Sequence, residues 1–217
     1  MTNSQLLSIR SLSIRLVRSP DSFWDRVGIS LREFGHRDGF VSNQSVLHCD
    51  FGNFDLSAGE CYAINGREGC LFAAFFDLIE GKTKSNSGTI RVTSSISSIR
   101  VYLAKLKGKK TLATLLKYRV DGEKVLIFSD LLAQANLRMD DLSLSEKLRC
   151  ATTLAIFDET KLVLLDEGLF LGDQIFFEKV LGQINISKQQ GKAFLIAAPS
   201  LSAVKKVVDR AISYKFR

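Results

Sequence analysis

The sequence predicts an α/β fold, a mixed sheet with helices packed on it and room for a small helical insertion. Three observations predict it. Residues Leu162 to Leu165, LVLL, form an unbroken apolar run that ends on two adjacent carboxylates, Asp166 and Glu167. This is the pattern of a strand covered on both faces, with its polar groups at the carboxyl end, where open α/β sheets bind ligands. CYAIN at 61–65, a glycine turn, the helical FAAFFDLIEG and SGTIRV at 87–92 then succeed one another as strand, turn, helix and strand. A further apolar run, AFLIAA at 193–198, follows a helical stretch that stops at Gly191.

At 217 residues the chain suits one domain spanning 1–217, and 46% hydrophobic residues describe a folded protein rather than a disordered one. No run approaches the ~18 apolar residues a membrane helix needs, and MTNSQLLSIR lacks the apolar core of a signal peptide, so a cytosolic location is expected. Four cysteines, Cys49, Cys61, Cys70 and Cys150, form no C-x-x-C pair, and His36 and His48 are the only histidines. Zinc and a disulfide framework are therefore disfavoured, and the cysteines read as small buried hydrophobes, with Cys70 beside a helix amino terminus as a candidate low-pKa thiol. A net charge of +7 permits an anionic partner, but its main concentration, AKLKGKK at 104–110, reads as a solvated loop. No aromatic-interleaved basic stripe points to nucleic acid.

In order along the chain, Leu6 to Val17 alternates apolar and polar residues as an edge strand or hairpin limb does, ending at Pro20. A short helix is expected next, capped by Ser19 or Asp21, with Phe23, Trp24, Val27 and Leu31 at helical spacing and Gly35 to stop it. Val46 to Leu56 reads as a strand, and Ser57-Ala58-Gly59-Glu60 as the turn into CYAIN. Leu112, Leu115 and Leu116, then Val125, Phe128, Leu131 and Leu132, mark two short amphipathic helices around the Asp121-Gly122 turn. Ser143 and Glu146 form an S-x-x-E capping box at the start of another helix. A helix is expected from about Gln174 to Gln190 before the AFLIAA strand.

Several of these stretches carry a resemblance. Leu164-Leu165-Asp166-Glu167 resembles the Walker B motif of ATP-binding-cassette (ABC) ATPases, and Gly172-Asp173 sits where that family has its D-loop. LSLSEKLR at 142–149 is similar to the family signature Leu-Ser-Gly-Gly-Glu-x-x-Arg, and SAGE at 57–60 to the Lys-x-Gly-Glu before its phosphate-binding loop. DEGLFLGDQIFFEK and the final Leu201 to Ile212 segment look most like the subunits that power export of capsular polysaccharide and O-antigen chains. The resemblance covers nearly the whole chain in the right order. It implies an ABC nucleotide-binding domain with a helical subdomain within about residues 97–145.

The same alignment exposes departures. A P-loop has the form G-x-x-x-x-G-K-[ST], because glycine amides wrap the phosphates, the lysine reaches the terminal phosphates and the hydroxyl holds Mg²⁺. Laid on Gly66, that pattern meets Leu71, Phe72 and Ala73, which read as packing residues that crowd the phosphate position. Leu144 and Ser145 replace the signature glycines, no glutamine lies between Ile96 and Lys110 to serve a Q-loop (Gln134 being too late), and Pro199-Ser200 stands in place of the switch histidine.

By resemblance, then, Gly66 and Gly69 belong to a degenerate phosphate loop, Asp166 would hold Mg²⁺, Glu167 is a vestigial general base, Ser143 belongs to the signature and Asp173 to the D-loop. The implied function is a degenerate ATP-binding subunit of a polysaccharide-export transporter, binding Mg-ATP weakly or not at all. It would work at the inner face of the cell membrane with a permease and a second nucleotide-binding subunit, identical or intact. The alternatives are a non-catalytic regulatory or scaffold protein and an active ABC ATPase with divergent motifs.

Overall fold

A computed structural model of the protein describes residues 4–17, 46–66, 69–85, 87–119, 121–171 and 173–216. The helix expected between Ser19 and Gly35, with the Pro20 stop, lies outside them, as does Gly172. The described strands are β1 (Gln5–Val17), β2 (Val46–Ser57), β3 (Cys61–Asn65), β4 (Ser87–Val92), β5 (Ile96–Ser98), β6 (Leu162–Leu165), β7 (Ala193–Ala198), β8 (Arg210–Ile212) and β9 (Lys215–Phe216). The helices are α1 (Gly69–Ile79), α2 (Ile99–Lys105), α3 (Leu112–Leu116), α4 (Gly122–Phe128), α5 (Leu144–Phe157), α6 (Gln174–Gln189) and α7 (Leu201–Val204).

Strand direction separates two sheets. One is parallel throughout, in the order β5-β6-β7-β3-β8; the other is antiparallel, in the order β4-β1-β2-β9. The three inner parallel strands, β6, β7 and β3, are apolar at their central positions because both faces are covered, and every residue of β6 and β7 is buried. On one face Ala63, Val163, Leu165, Phe194 and Ile196 meet α5, α6 and the short helices α2, α3 and α4 in a single cluster. On the other face Ile64, Leu162, Leu164 and Leu195 meet α1, and α1 in turn meets Leu7, Ile9, Phe51 and Leu56 of the antiparallel sheet.

This placement between two sheets explains the composition of α1, whose Leu71, Phe72, Phe75 and Phe76 are all essentially without solvent exposure. A helix whose large side chains are all apolar presents little face to water, and its charged residue, Asp77, is itself paired with Arg100. Gly88 of the antiparallel sheet has φ +79°, and a Cβ there would meet the carbonyl oxygens of Arg10 and Ser11 at 2.5 Å. Only glycine lets β4 close on β1. Gly191, at φ +84°, closes α6 by bonding its amide to the Lys188 carbonyl at 2.9 Å, the left-handed cap its position in the sequence predicts.

The short strand β5 and helix α2 have no forecast in the sequence pattern. Ile96–Ser98 is three residues long and gains its strand character from pairing with β6. Cys49, Cys61 and Cys150 are buried, as expected, and burial pushes the thiols of Cys61 and Cys150 up to about 12. The side chain of Cys70 lies outside the described set. Lys105, Lys107, Lys109 and Lys110 are exposed on a loop braced by the Gly108 amide, which donates to Asp140 Oδ1 at 2.7 Å. Among the described residues no helix is long and apolar enough to cross a membrane.

Candidate functional site

The carboxyl ends of β3, β6 and β7 meet at one edge of the parallel sheet. Asn65 is in register with Ala198, Leu165 is in register with Ile196, and the Gly66 amide donates to the Ala198 carbonyl at 3.2 Å. This brings Gly66, Asp166, Glu167 and Pro199 to the edge where open parallel sheets hold ligands. Gly69 begins α1 beside it, after a link of residues 66–68; within that link Arg67 and Glu68 lie outside the described residues.

The start of α1 corrects one expectation. The pattern laid on Gly66 sets Leu71, Phe72 and Ala73 at the mouth of a phosphate loop, where the first two would crowd a ligand. The helix in fact starts at Gly69, so these residues belong to its first turns, and Leu71 and Phe72 point into the core. Phe72 is 1% exposed and meets the edge of Tyr214, with ring centroids 6.3 Å apart. The reason is the burial of about 150 Å² or more of apolar surface that an aromatic ring offers to a cavity between two sheets. They are packing residues, and they do not obstruct the edge.

Asp166 leaves β6 and is 5% exposed. Its Oδ1 accepts from the Gly168 amide at 3.0 Å, whereas its Oδ2 is buried without a hydrogen-bond partner. Burial raises its pKa from the ordinary 3.8 to about 6; the Gly168 amide and the Arg100 charge oppose the rise, and Glu80 adds to it. Such a group is partly protonated near neutral pH, and a protonated carboxyl is a poor cation ligand. Glu167 opens a short 3₁₀ turn, Glu167–Leu171, and is half-buried. Among the described residues no group of His, Cys, Asp and Glu is arranged to hold a metal ion.

A cation missed in the sequence stands next to this edge. Arg100 is 5% exposed, donates through Nη1 to the Ala73 carbonyl at 2.9 Å and pairs through Nη2 with Asp77 at 2.9 Å. Ser98, in register with Leu164, donates to Glu80 Oε1 at 2.5 Å, and Lys82 pairs with the same Glu80. The family pattern asks for a glutamine in this stretch and the chain holds an arginine, which no local signal marks because the strand before it takes its conformation from β6.

Ser143 and Asp173 have a different setting from the sheet edge. Ser143 is the N-cap of α5 and completes the capping box predicted for it: its Oγ accepts from the Glu146 amide at 3.3 Å, and the Glu146 carboxylate accepts from the Ser143 amide at 2.7 Å. The Ser143 hydroxyl holds the Glu146 carboxyl below its usual range. Asp173 caps α6, accepting from the Phe176 amide at 2.7 Å, and meets Arg149 at 3.5 Å. The arginine of the signature-like stretch and the aspartate after Gly172 are thus joined within one chain. Gln134 lies between α4 and α5 with a buried Oε1 that has no hydrogen-bond partner.

No family model matches the chain. It is similar to a protein of Bacillus anthracis described as "Teichoic acids export ATP-binding protein TagH", 26% identical over 186 residues, which cover 80% of this chain and 34% of that protein. A protein of the same description from Listeria innocua is 26% identical, over 74% of this chain and 51% of its own length. "ATP-binding protein BexA" of Haemophilus influenzae is 28% identical over 74% of this chain and 77% of its own. The chain therefore spans about a third to a half of the length of the TagH proteins it matches. Among solved structures, an ATP-binding cassette dimer bound to ADP and Pi superposes with a TM-score of 0.69 at 12% identity, covering 98% of both chains. The "RNase-L Inhibitor" superposes at 0.65 with 16% identity, over 97% of this chain and 37% of that one. The chain has the fold of an ABC nucleotide-binding domain, and its sequence relatives are ATP-binding proteins, those of the TagH type serving teichoic acid export.

Proposed function

We propose that this chain is the ATP-binding-cassette component of a polysaccharide-export transporter in which nucleotide binding and hydrolysis are weak or lost. The observation that carries the reading is the first turn of α1: from Gly66 to Phe76 the sequence has neither lysine nor serine nor threonine, and Leu71, Phe72, Phe75 and Phe76 are committed to the core. The groups that grip terminal phosphates and Mg²⁺ in a P-loop have no counterpart there. The amino terminus of α1 at Gly69 would still offer an anion some attraction, whereas the Gly66 amide is committed to the Ala198 carbonyl. Charge-assisted contacts contribute roughly 1.5–3 kcal/mol each, so two lost contacts weaken binding by about 10² to 10⁴.

The residues implied for Mg²⁺ fit poorly. Asp166 is buried, accepts from the Gly168 amide through Oδ1 and has the Arg100 charge for a neighbour. Glu167 then has no held substrate on which to act as a base, and Ser143 and Asp173 serve as helix caps. In transport such a chain needs an intact second nucleotide-binding subunit. The helices within about residues 97–145 form the subdomain that meets a membrane permease, which would hold the chain at the inner face of the membrane.

Isothermal titration with Mg-ATP tests the reading. No binding at micromolar strength is expected; micromolar binding with turnover abolished by Glu167→Gln would instead establish an active ATPase with divergent motifs. Co-purification with a membrane permease supports the transport role, and a soluble partner alone supports a scaffold.

A further inference from the structure

We propose that Arg100 is a built-in counter-cation: beside the carboxyl end of β6 its guanidinium takes the charge-balancing part that a bound divalent cation would have, and it ties α1, α2 and β6 together without a ligand. The inference rests on the reading above that Mg-nucleotide is not held. Register supplies the first support. Ser98 is in register with Leu164, so the start of α2, with Arg100 as its second residue, leaves β5 at the same edge where Asp166 leaves β6. Arg100 therefore enters the fold beside the acid that a metal would need.

Charge supplies the second. Asp77, Glu80 and Asp166 bring three carboxylates to this corner, and Arg100 and Lys82 oppose them. Lys82 is 46% exposed while Arg100 is 5% exposed, so the guanidinium is the cation inside. Two carboxylates are themselves enclosed, Glu80 at 6% side-chain exposure and Asp166 at 5%, and enclosed charges require a partner. Guanidinium suits the task better than an ammonium. It is always charged and presents five donors in a plane, so it can hold a main-chain carbonyl and a carboxylate at once, as it does with Ala73 and Asp77. A fixed positive charge in a low-dielectric corner also repels any incoming cation.

The test uses the full chain without nucleotide. Titration of the wild type with Mn²⁺, followed by electron paramagnetic resonance, is expected to show only free aquo ion, and millimolar Mg²⁺ or Mn²⁺ is expected to leave the melting temperature unmoved. Arg100→Met should lower that temperature by roughly 10 °C, as loss of one partner of a buried ion pair does in a domain of this size. Mn²⁺ should then recover part of the loss, and Arg100→Lys should retain most of the stability. If Arg100→Met does not fold, Arg100→Met with Asp77→Asn removes the pair from both ends, and the cation response is read there. Specific Mn²⁺ binding by the wild type would overturn both the inference and the reading beneath it. A variant that loses stability and ignores the cation would overturn the inference alone.

Discussion

Phe51 of β2 stacks on Phe75 of α1 with ring centroids 4.3 Å apart and ring planes 16° apart. The contact joins the antiparallel sheet to the helix that covers the parallel one, so its loss should loosen both. Phe75→Ala is expected to destabilise the chain by about 3–5 kcal/mol, through lost burial and the cavity left behind. Urea unfolding followed by circular dichroism measures this, and a cost below about 1 kcal/mol would mean that the two sheets are held together elsewhere.

Asp166 sets a pH dependence of defined sign. Its folded pKa, about 6, lies above the ordinary 3.8, so the folded state binds the extra proton. The resulting stabilisation is complete below the ordinary value and is lost as pH rises through about 6. Asp166→Asn cannot ionise and should escape this decline, exceeding the wild type above pH ~6.5 by an amount on the order of 3 kcal/mol. Unfolding free energies from pH 4.5 to 7.5 check it. A variant less stable than wild type at pH 7.5 would show that the Arg100 charge outweighs the cost of burying the carboxylate.

Ser143→Ala should cost about 1 kcal/mol, because the capping box at the start of α5 loses one of its two reciprocal bonds. Ser143→Thr should restore most of it. Chemical denaturation of the three proteins decides; equal stability in all of them would remove the structural role and leave the signature resemblance as the reason for the serine.

Gly88→Ala combines a positive φ with a Cβ placed 2.5 Å from two carbonyl oxygens. The substitution should cost more than the ~1 kcal/mol of an ordinary left-handed alanine, since β4 must move away from β1. Hydrogen exchange gives a local readout: the amides of β4 should lose protection before those of β6 and β7.

Much of the scaffold was legible because its signals are local. LVLL and AFLIAA declare buried strands by being apolar without interruption, Gly191 and the Ser143–Glu146 pair mark helix ends, and CYAIN is bounded by turn residues as observed. The three-residue strand β5 was illegible, since its conformation is imposed by β6 alongside. The frame of α1 misled for a related reason. A pattern match counts positions from Gly66, whereas the helix start follows from which residues can fill the space between two sheets, and that demand drew Leu71 and Phe72 inward. Asp166 and Glu167 were found at the sheet edge by their position after an apolar run. Arg100 was not, because a motif search asks for the expected residue and is blind to a different one in the same place.

The burial of α1 also limits what substitution alone could restore. Converting Phe72 to lysine would not rebuild a phosphate grip; it would strand an ammonium among phenyl rings, where an unpaired charge is driven to give up its proton. A phosphate-gripping lysine at that position would first need a helix with an outer face, which packing between two sheets denies it.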